Sequence, residues 1–268
     1  MEGLTLLLLT PAATAVGGVN YKCGTQEGVT GTDGSFNFDE GSACTFYLGD
    51  IQLRTVDKDL LKDGEKIIED DVQIAALLQS LDLDGDASNG ITLTPEVVEA
   101  MATALSSNGG DGTLPKTAGE LTALVAALQA AVPNYQGQAV SETDAQTHLD
   151  ETTLQELIVG KTFYMVIEGY RSADNLDSVF ETVFSVNGQK STTEDGHTST
   201  NAYIIEGNKV KIDTPFNTYY EVISQNTEYL EIREVDDSES RILRFYFDKA
   251  KADAYIATLP AAEATLNK

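Results

Sequence analysis

The sequence predicts an α+β protein: a small N-terminal β-sandwich with a helical insert or bundle, followed by a C-terminal antiparallel β-meander or small barrel. Three observations lead there. Between residues 16 and 56, apolar side chains alternate with polar ones, as at Phe36, Phe38, Phe46 and Leu48. Between 66 and 158 they recur at three- and four-residue spacing. From 159 to 248 they alternate again, in short runs separated by turn dipeptides. The expected organisation is residues 1–15 as an apolar leader or donor strand, 16–158 as the β-sandwich with four helices, and 159–268 as the antiparallel β-domain with a closing helix.

The opening segment contains "GLTLLLLTPAATA". It carries Glu2 and no Lys or Arg, and its apolar run is far too short to span a membrane. It reads either as a leader or as an ordered strand completing a sheet edge, in its own molecule or in the next. The second case implies self-association through residues 1–15, with Pro11 ending the pairing.

The next segment reads as short strands punctuated by Asp33-Gly34 and Glu40-Gly41. It holds the two cysteines, Cys23 and Cys44. The turn-rich context favours a disulfide over two buried thiols. A bridge there closes a loop of about twenty residues and contributes about 3 kcal/mol. It also implies an oxidising compartment. Its strands are expected to pair or face one another, with Cα atoms about 4.4–6.8 Å apart. No Cys/His spacing for zinc exists.

Four helices follow. Their apolar stripes are Ile74, Leu77, Leu78 and Leu81; Val97, Val98, Met101 and Leu105; Leu121, Leu124, Val125 and Leu128; and a fourth segment containing Leu149. Thr94 precedes Pro95 at a first helical position, while Thr117 with Glu120 and Ser141 with Asp144 have capping-box spacing. Asn108-Gly109-Gly110 and Pro133-Asn134 read as stops for the second and third helices.

The last third contains "KTFYMVIEGY", "SVFETVFSVNG", "NAYIIEGNKVKI", "TYYEVIS", "EYLEIREV" and "RILRFYFD". Asn187-Gly188 and Gly207-Asn208 are hairpin signals. The Tyr and Phe concentrated here either fill a barrel or line a pocket in it. Residues 248–258 read as the closing helix.

The net charge is −26, from 43 acidic and 17 basic residues. Such a surface repels nucleic-acid phosphates and anionic membranes and attracts cations. No partner nucleic acid and no transmembrane segment are expected.

Chemistry concentrates in "LDLDGDASNGITLTPE", residues 81–96, between the first two helices. Counted from Asp84, the residues Asp84, Asp86 and Ser88 fall at positions 1, 3 and 5 of an EF-hand-like loop. Gly90 takes the carbonyl position 7, Ile91 the small strand position 8, and Thr92 position 9. Asn89 stands at position 6, where glycine is usual, and is expected to take the left-handed turn. The final acid comes one residue late, at Glu96, and Asp82 is an alternative carboxylate. The metal set is therefore Asp82, Asp84, Asp86, Ser88, Gly90, Thr92 and Glu96, and the ion Ca²⁺. The competing reading is a solvated turn with capping aspartates.

This segment resembles EF-hand and dockerin-type calcium loops. The stretch from "GVNYKCG" to "LLQSLDLDGDASNGITL" also resembles an uncharacterised N-terminal module of bacterial secreted and lipid-anchored surface proteins. That resemblance implies an extracellular or cell-surface setting and no enzymatic activity. This chain shows no lipobox cysteine.

A catalytic constellation is not legible. His148 reads as a helix-surface residue and His197 as part of a polar loop. No nucleophile elbow, P-loop or dinucleotide fingerprint appears. The chain has no Trp, so a sugar-stacking face would fall to Tyr219, Tyr220 and Tyr229. The expected function is a secreted, calcium-stabilised cell-surface or binding protein that contacts an unknown surface or small-molecule ligand. The alternative is a subunit of an extracellular filament built by donor-strand exchange.

Overall fold

A computed structural model describes residues 4–7, 15–64, 66–107, 113–167, 179–194 and 196–259. The chain is α+β and divides into two compact units, Met1–Thr153 and Leu154–Lys268, the division falling inside the fourth α-helix.

Among the described residues, the first unit holds nine strands: β1 (Leu4–Leu7), β2 (Val16–Gly17), β3 (Asn20–Cys23), β4 (Gln26–Val29), β5 (Ser35–Phe36), β6 (Cys44–Leu48), β7 (Ile51–Val56), β8 (Lys66–Ile68) and β9 (Ile91–Thr92). They form three small sheets, in the orders β5-β1-β8, β2-β9 and β4-β3-β6-β7. Alternation on β6 buries Cys44, Phe46 and Leu48 and leaves the residues between them half-buried. Strand β1 pairs with β5 antiparallel and β8 parallel, so residues 4–7 lie in the chain's own sheet. The rest of the 1–14 segment, Pro11 included, lies outside the described residues.

Cys23 and Cys44 face each other in the β3–β6 ladder and are bonded. Their Cα atoms are 4.1 Å apart, slightly closer than expected. The reason is their direct cross-strand register, since side-by-side residues of antiparallel strands approach more closely than most bridged pairs. Replacing both cysteines by alanine is expected to lower stability by about 3 kcal/mol. An unchanged urea midpoint would count against a stabilising bridge.

Helices α1 (Val72–Ser80), α2 (Pro95–Ser107), α3 (Ala118–Ala131) and α4 (Glu142–Ile158) follow the periodic stretches closely. Helices α3 and α4 carry the expected caps, and α1 carries one that the sequence reading did not single out. Asp71 accepts the N–H groups of Gln73 and Ile74 at 2.8 and 3.2 Å. Thr117 accepts that of Glu120 at 3.2 Å, and Ser141 that of Asp144 at 3.1 Å. The Asn108-Gly109-Gly110 stop lies outside the described residues; Asn134 stands at φ 64° just after α3. Helices α2 and α3 pack on each other, and Leu77, Leu78, Met101 and Leu128 share one core with Phe36, Phe46 and the disulfide.

The second unit is a closed barrel. Its strands are β10 (Thr162–Ile167), β11 (Phe180–Phe184), β12 (Gln189–Glu194), β13 (His197–Glu206), β14 (Lys209–Ile212), β15 (Tyr219–Gln225), β16 (Tyr229–Val235) and β17 (Ser240–Tyr246). Each is antiparallel to the next, and β10 closes on β17. Phe163, Phe184, Tyr203, Tyr220 and Phe245 pack together in its core. Helix α5 (Lys249–Ile256) sets Ala252 and Ile256 against Val166 and Tyr246. One strand escaped the sequence pattern. The expected polar loop "STTEDGHTST" is the β12–β13 hairpin, with Glu194 opposite His197. Among the described residues, no helix is long and apolar enough to cross a membrane.

Candidate metal centre

The loop starts where α1 ends. Asp82 turns inward and is 1% exposed. One of its oxygens, Oδ1, accepts the Thr92 N–H at 2.8 Å, which ties the start of the loop to β9. Strand β9 in turn lies parallel to β2, with Ile91 opposite Val16. The short strand expected at Ile91 is therefore present.

The second oxygen, Asp82 Oδ2, is buried and meets no hydrogen-bond donor. The Asp84 carboxyl group neighbours Asp82. Asp84 Oδ1 accepts the Asp86 N–H at 3.0 Å, and Oδ2 accepts the Asn89 side-chain amide at 3.0 Å. While both carboxylates are ionised, neither can donate to the other. Burial, and then Asp84, push Asp82 up to about pKa 7 against the pull of the Thr92 N–H. Asp84 is held below its usual value by the Asp86 N–H and the Asn89 amide. A single proton shared between the two carboxylates, or a bound cation, relieves this arrangement.

The remaining candidates are placed differently. Asp86 caps a short 3₁₀ turn, Ala87–Asn89, its Oδ1 accepting both the N–H and the hydroxyl of Ser88 at 3.1 and 2.5 Å. Gly90 leads into β9, and the Thr92 side chain is exposed. Glu96 is exposed in the first turn of α2. Its own N–H and the Thr94 hydroxyl hold its carboxyl group below the usual value. Among the described residues, no three His, Cys, Asp or Glu side chains converge on one point. The structure thus brings together Asp82 and Asp84, but not Asp86 or Glu96.

The left-handed turn expected at Asn89 is not there. Asn89 lies in the 3₁₀ turn, and its amide tethers Asp84. The chain reverses at Gly85, φ 72°, where a Cβ would come within 2.7 Å of the Gln136 carbonyl. Glycines at 85 and 90 remove the need for a strained asparagine.

His148 is not a free surface residue either. It is half-buried, and its Nδ1 lies 2.8 Å from Gln79 Oε1 on α1. It shares the wall of a cavity of about 310 Å³ with Gln79, Asp86 and Ser88. His197 is exposed at the start of β13. Sequence reasoning missed a polar set in the barrel: Lys190, Tyr220 and Glu234, which are buried, and the half-buried Arg241. Its only signal is charge at positions whose alternation points inward, and on β12 that alternation is too polar to read. Searches against protein-family models, curated proteins and solved structures find no match to this chain.

Proposed function

We propose that this is a non-enzymatic binding protein of the extracellular space or bacterial cell surface, with an N-terminal unit stabilised by Ca²⁺ at the 82–92 loop. The observation that carries this reading is the buried, donor-less Oδ2 of Asp82 beside a second carboxylate. Burying an uncompensated carboxylate is costly, and a hard cation offsets that cost. The oxygens that would hold it are the carboxylates of Asp82 and Asp84; Asp86, the Ser88 hydroxyl, the Gly90 carbonyl, Thr92 and Glu96 would join them only by rearranging from the positions they occupy. The ion would supply charge neutralisation and loop rigidity. The disulfide is compatible with an oxidising compartment, and the charge of −26 favours cation capture.

Calcium is expected to raise the melting temperature of the N-terminal unit. At a hundredfold excess over the dissociation constant, the stabilisation is about 2.7 kcal/mol, or roughly 5–10 °C. The Asp82→Asn variant separates calcium from folding. It should lose the calcium increment. In chelator it should also lose a pH dependence. Asp82 has a native pKa near 7, above its unfolded value, so the native state binds the extra proton between about pH 4 and 7. The calcium-free wild type therefore loses stability as pH rises through that window, and the variant does not. Equal wild-type melting temperatures in millimolar calcium and in chelator would end the calcium reading.

The filament reading draws on the central place of β1 in its three-stranded sheet, a position that a neighbouring molecule's strand could occupy. Molecular mass in dilute solution, with and without residues 1–15, tests it.

A further inference from the structure

Strand β7 ends the four-stranded sheet β4-β3-β6-β7, so only one of its sides is paired within that sheet. The direction of its backbone groups follows from the disulfide. Cys23 and Cys44 stand opposite each other with Cα atoms 4.1 Å apart, the close spacing of a pair that exchanges no backbone hydrogen bonds. Alternation along β6 then turns the N–H and C=O of Tyr47 toward β3. Its partner on β7 is Gln52, whose own N–H and C=O therefore point away from the sheet. Among the described residues, no other backbone group bonds to Gln52 on that side.

Beside this edge lies a groove. A cavity of about 520 Å³ is lined by Asp50 to Leu53 without a gap, and by Ile74 and Leu77 of α1. A strand presenting one face would contribute only alternate residues, so the unbroken run follows the strand's edge. Leu53 has no partner on β6, because the register passes from Arg54 to Gln52. Such a bulge re-aims a side chain, and Leu53 joins Ile51 in the groove. The run stops at Arg54, which is tied to Glu69 at 2.8 Å and Asp70 at 3.0 Å. A smaller cavity continues the groove past Leu77 and Lys116 to Glu142. The acids Asp50, Asp71 and Glu142 border the two cavities against a single base, Lys116, in a chain of net charge −26.

We propose that the β7 edge binds an extended basic segment of a partner protein as an added strand. The segment's backbone bonds to Gln52, an apolar side chain enters beside Leu53 and Leu77, and flanking lysine or arginine side chains meet Asp50 and Glu142. Strand addition draws affinity from main-chain hydrogen bonds and specificity from pockets for alternate side chains. A second copy of this chain suits the edge poorly, since two chains of charge −26 repel. The groove shares no residue with the acidic loop and does not depend on calcium.

The probe is a short capped peptide alternating lysine and valine, titrated into the isotope-labelled full chain. It should shift the amide resonances of Ile51, Gln52 and Leu53 and give NOEs from a valine methyl to Leu53 or Leu77. Gln52→Pro removes the outward N–H on a strand edge, where proline is tolerated, and should weaken binding about tenfold. If that variant does not fold, the same peptide N-methylated at alternate residues keeps the charge, removes the hydrogen bonds from the other side, and should weaken binding likewise. Asp50→Lys should weaken it several-fold, and a glutamate–valine peptide should not bind. Equal binding of the acidic peptide, shifts that avoid β7, or undiminished binding after both backbone deletions would each overturn the proposal. Concentration-dependent pairing of two chains through Ile51–Leu53 would overturn it as well, by giving the edge to a second copy.

Discussion

Replacing Phe163 by alanine is expected to destabilise the barrel by about 3–5 kcal/mol. Its side chain is completely buried. Its ring centre lies 5.6 Å from that of Phe245, 5.9 Å from Phe247 and 6.2 Å from Phe184. It therefore joins the first strand of the ring to the last. Removing it leaves a cavity bounded by rigid rings on closed strands, which cannot collapse to fill it. Tyrosine fluorescence in urea reports the change, since the chain has no Trp. Ile204→Ala is the control; that side chain is 55% exposed, and its loss should cost under about 0.5 kcal/mol. A Phe163→Ala loss below about 1 kcal/mol would mean that the aromatic set is not the barrel's core.

The second large effect is expected at Glu234. The Glu234 side chain is 11% exposed, and that of Arg241 is 32% exposed. Glu234→Ala strips Arg241 of a largely buried partner, whereas Glu239, its other carboxylate at 3.6 Å, is 60% exposed. It also leaves the Lys190 ammonium against Tyr220 with no carboxylate nearby. The expected loss is about 3 kcal/mol, the low end for a broken buried pair because Arg241 reaches solvent. Adding Lys190→Met should recover more than half of it, because the stranded charge disappears with the carboxylate. Chemical denaturation of the single and double variants measures this. Additive losses would show that Lys190 and Glu234 are not coupled.

The helices were legible because two independent signals coincide there. Stripes such as Leu121, Leu124, Val125 and Leu128 and the capping groups of Thr117 and Ser141 fall where the helices form. Most barrel strands were legible from Val, Ile, Phe and Tyr alternating with polar residues. Strand β12 was not. Its sequence, Gln189 to Glu194, contains no apolar residue, so its inward face is marked only by Lys190 and Thr192. The strand that was missed is also the strand that carries the buried lysine. An inward charge erases the alternation by which a strand is recognised. At the acidic loop, residue spacing located the oxygens but not their partners. Nothing local indicates that Asp86 bonds Ser88, that Glu96 turns to Thr94, or that Gln136 requires a glycine at 85. Those outcomes depend on hydrogen bonds and approaches that spacing alone does not encode.

The order of strands in the barrel also bears on how fast it opens. Every pairing but one joins neighbours in sequence. Such hairpins form locally, in roughly 1–10 μs. The exception is the β10–β17 joint, where Tyr164 lies opposite Tyr246. Closing it constrains a loop of about 80 residues, so this contact carries most of the chain-closure entropy. The ring is in kinetic terms a zipper with a single clasp. Helix α5 sits on that clasp, holding Val166 of β10 and Tyr246 of β17 under Ala252 and Ile256. A contact made after closure slows opening without speeding assembly. The short helix is therefore a latch that lengthens the lifetime of the closed ring, and its worth is read in an unfolding rate.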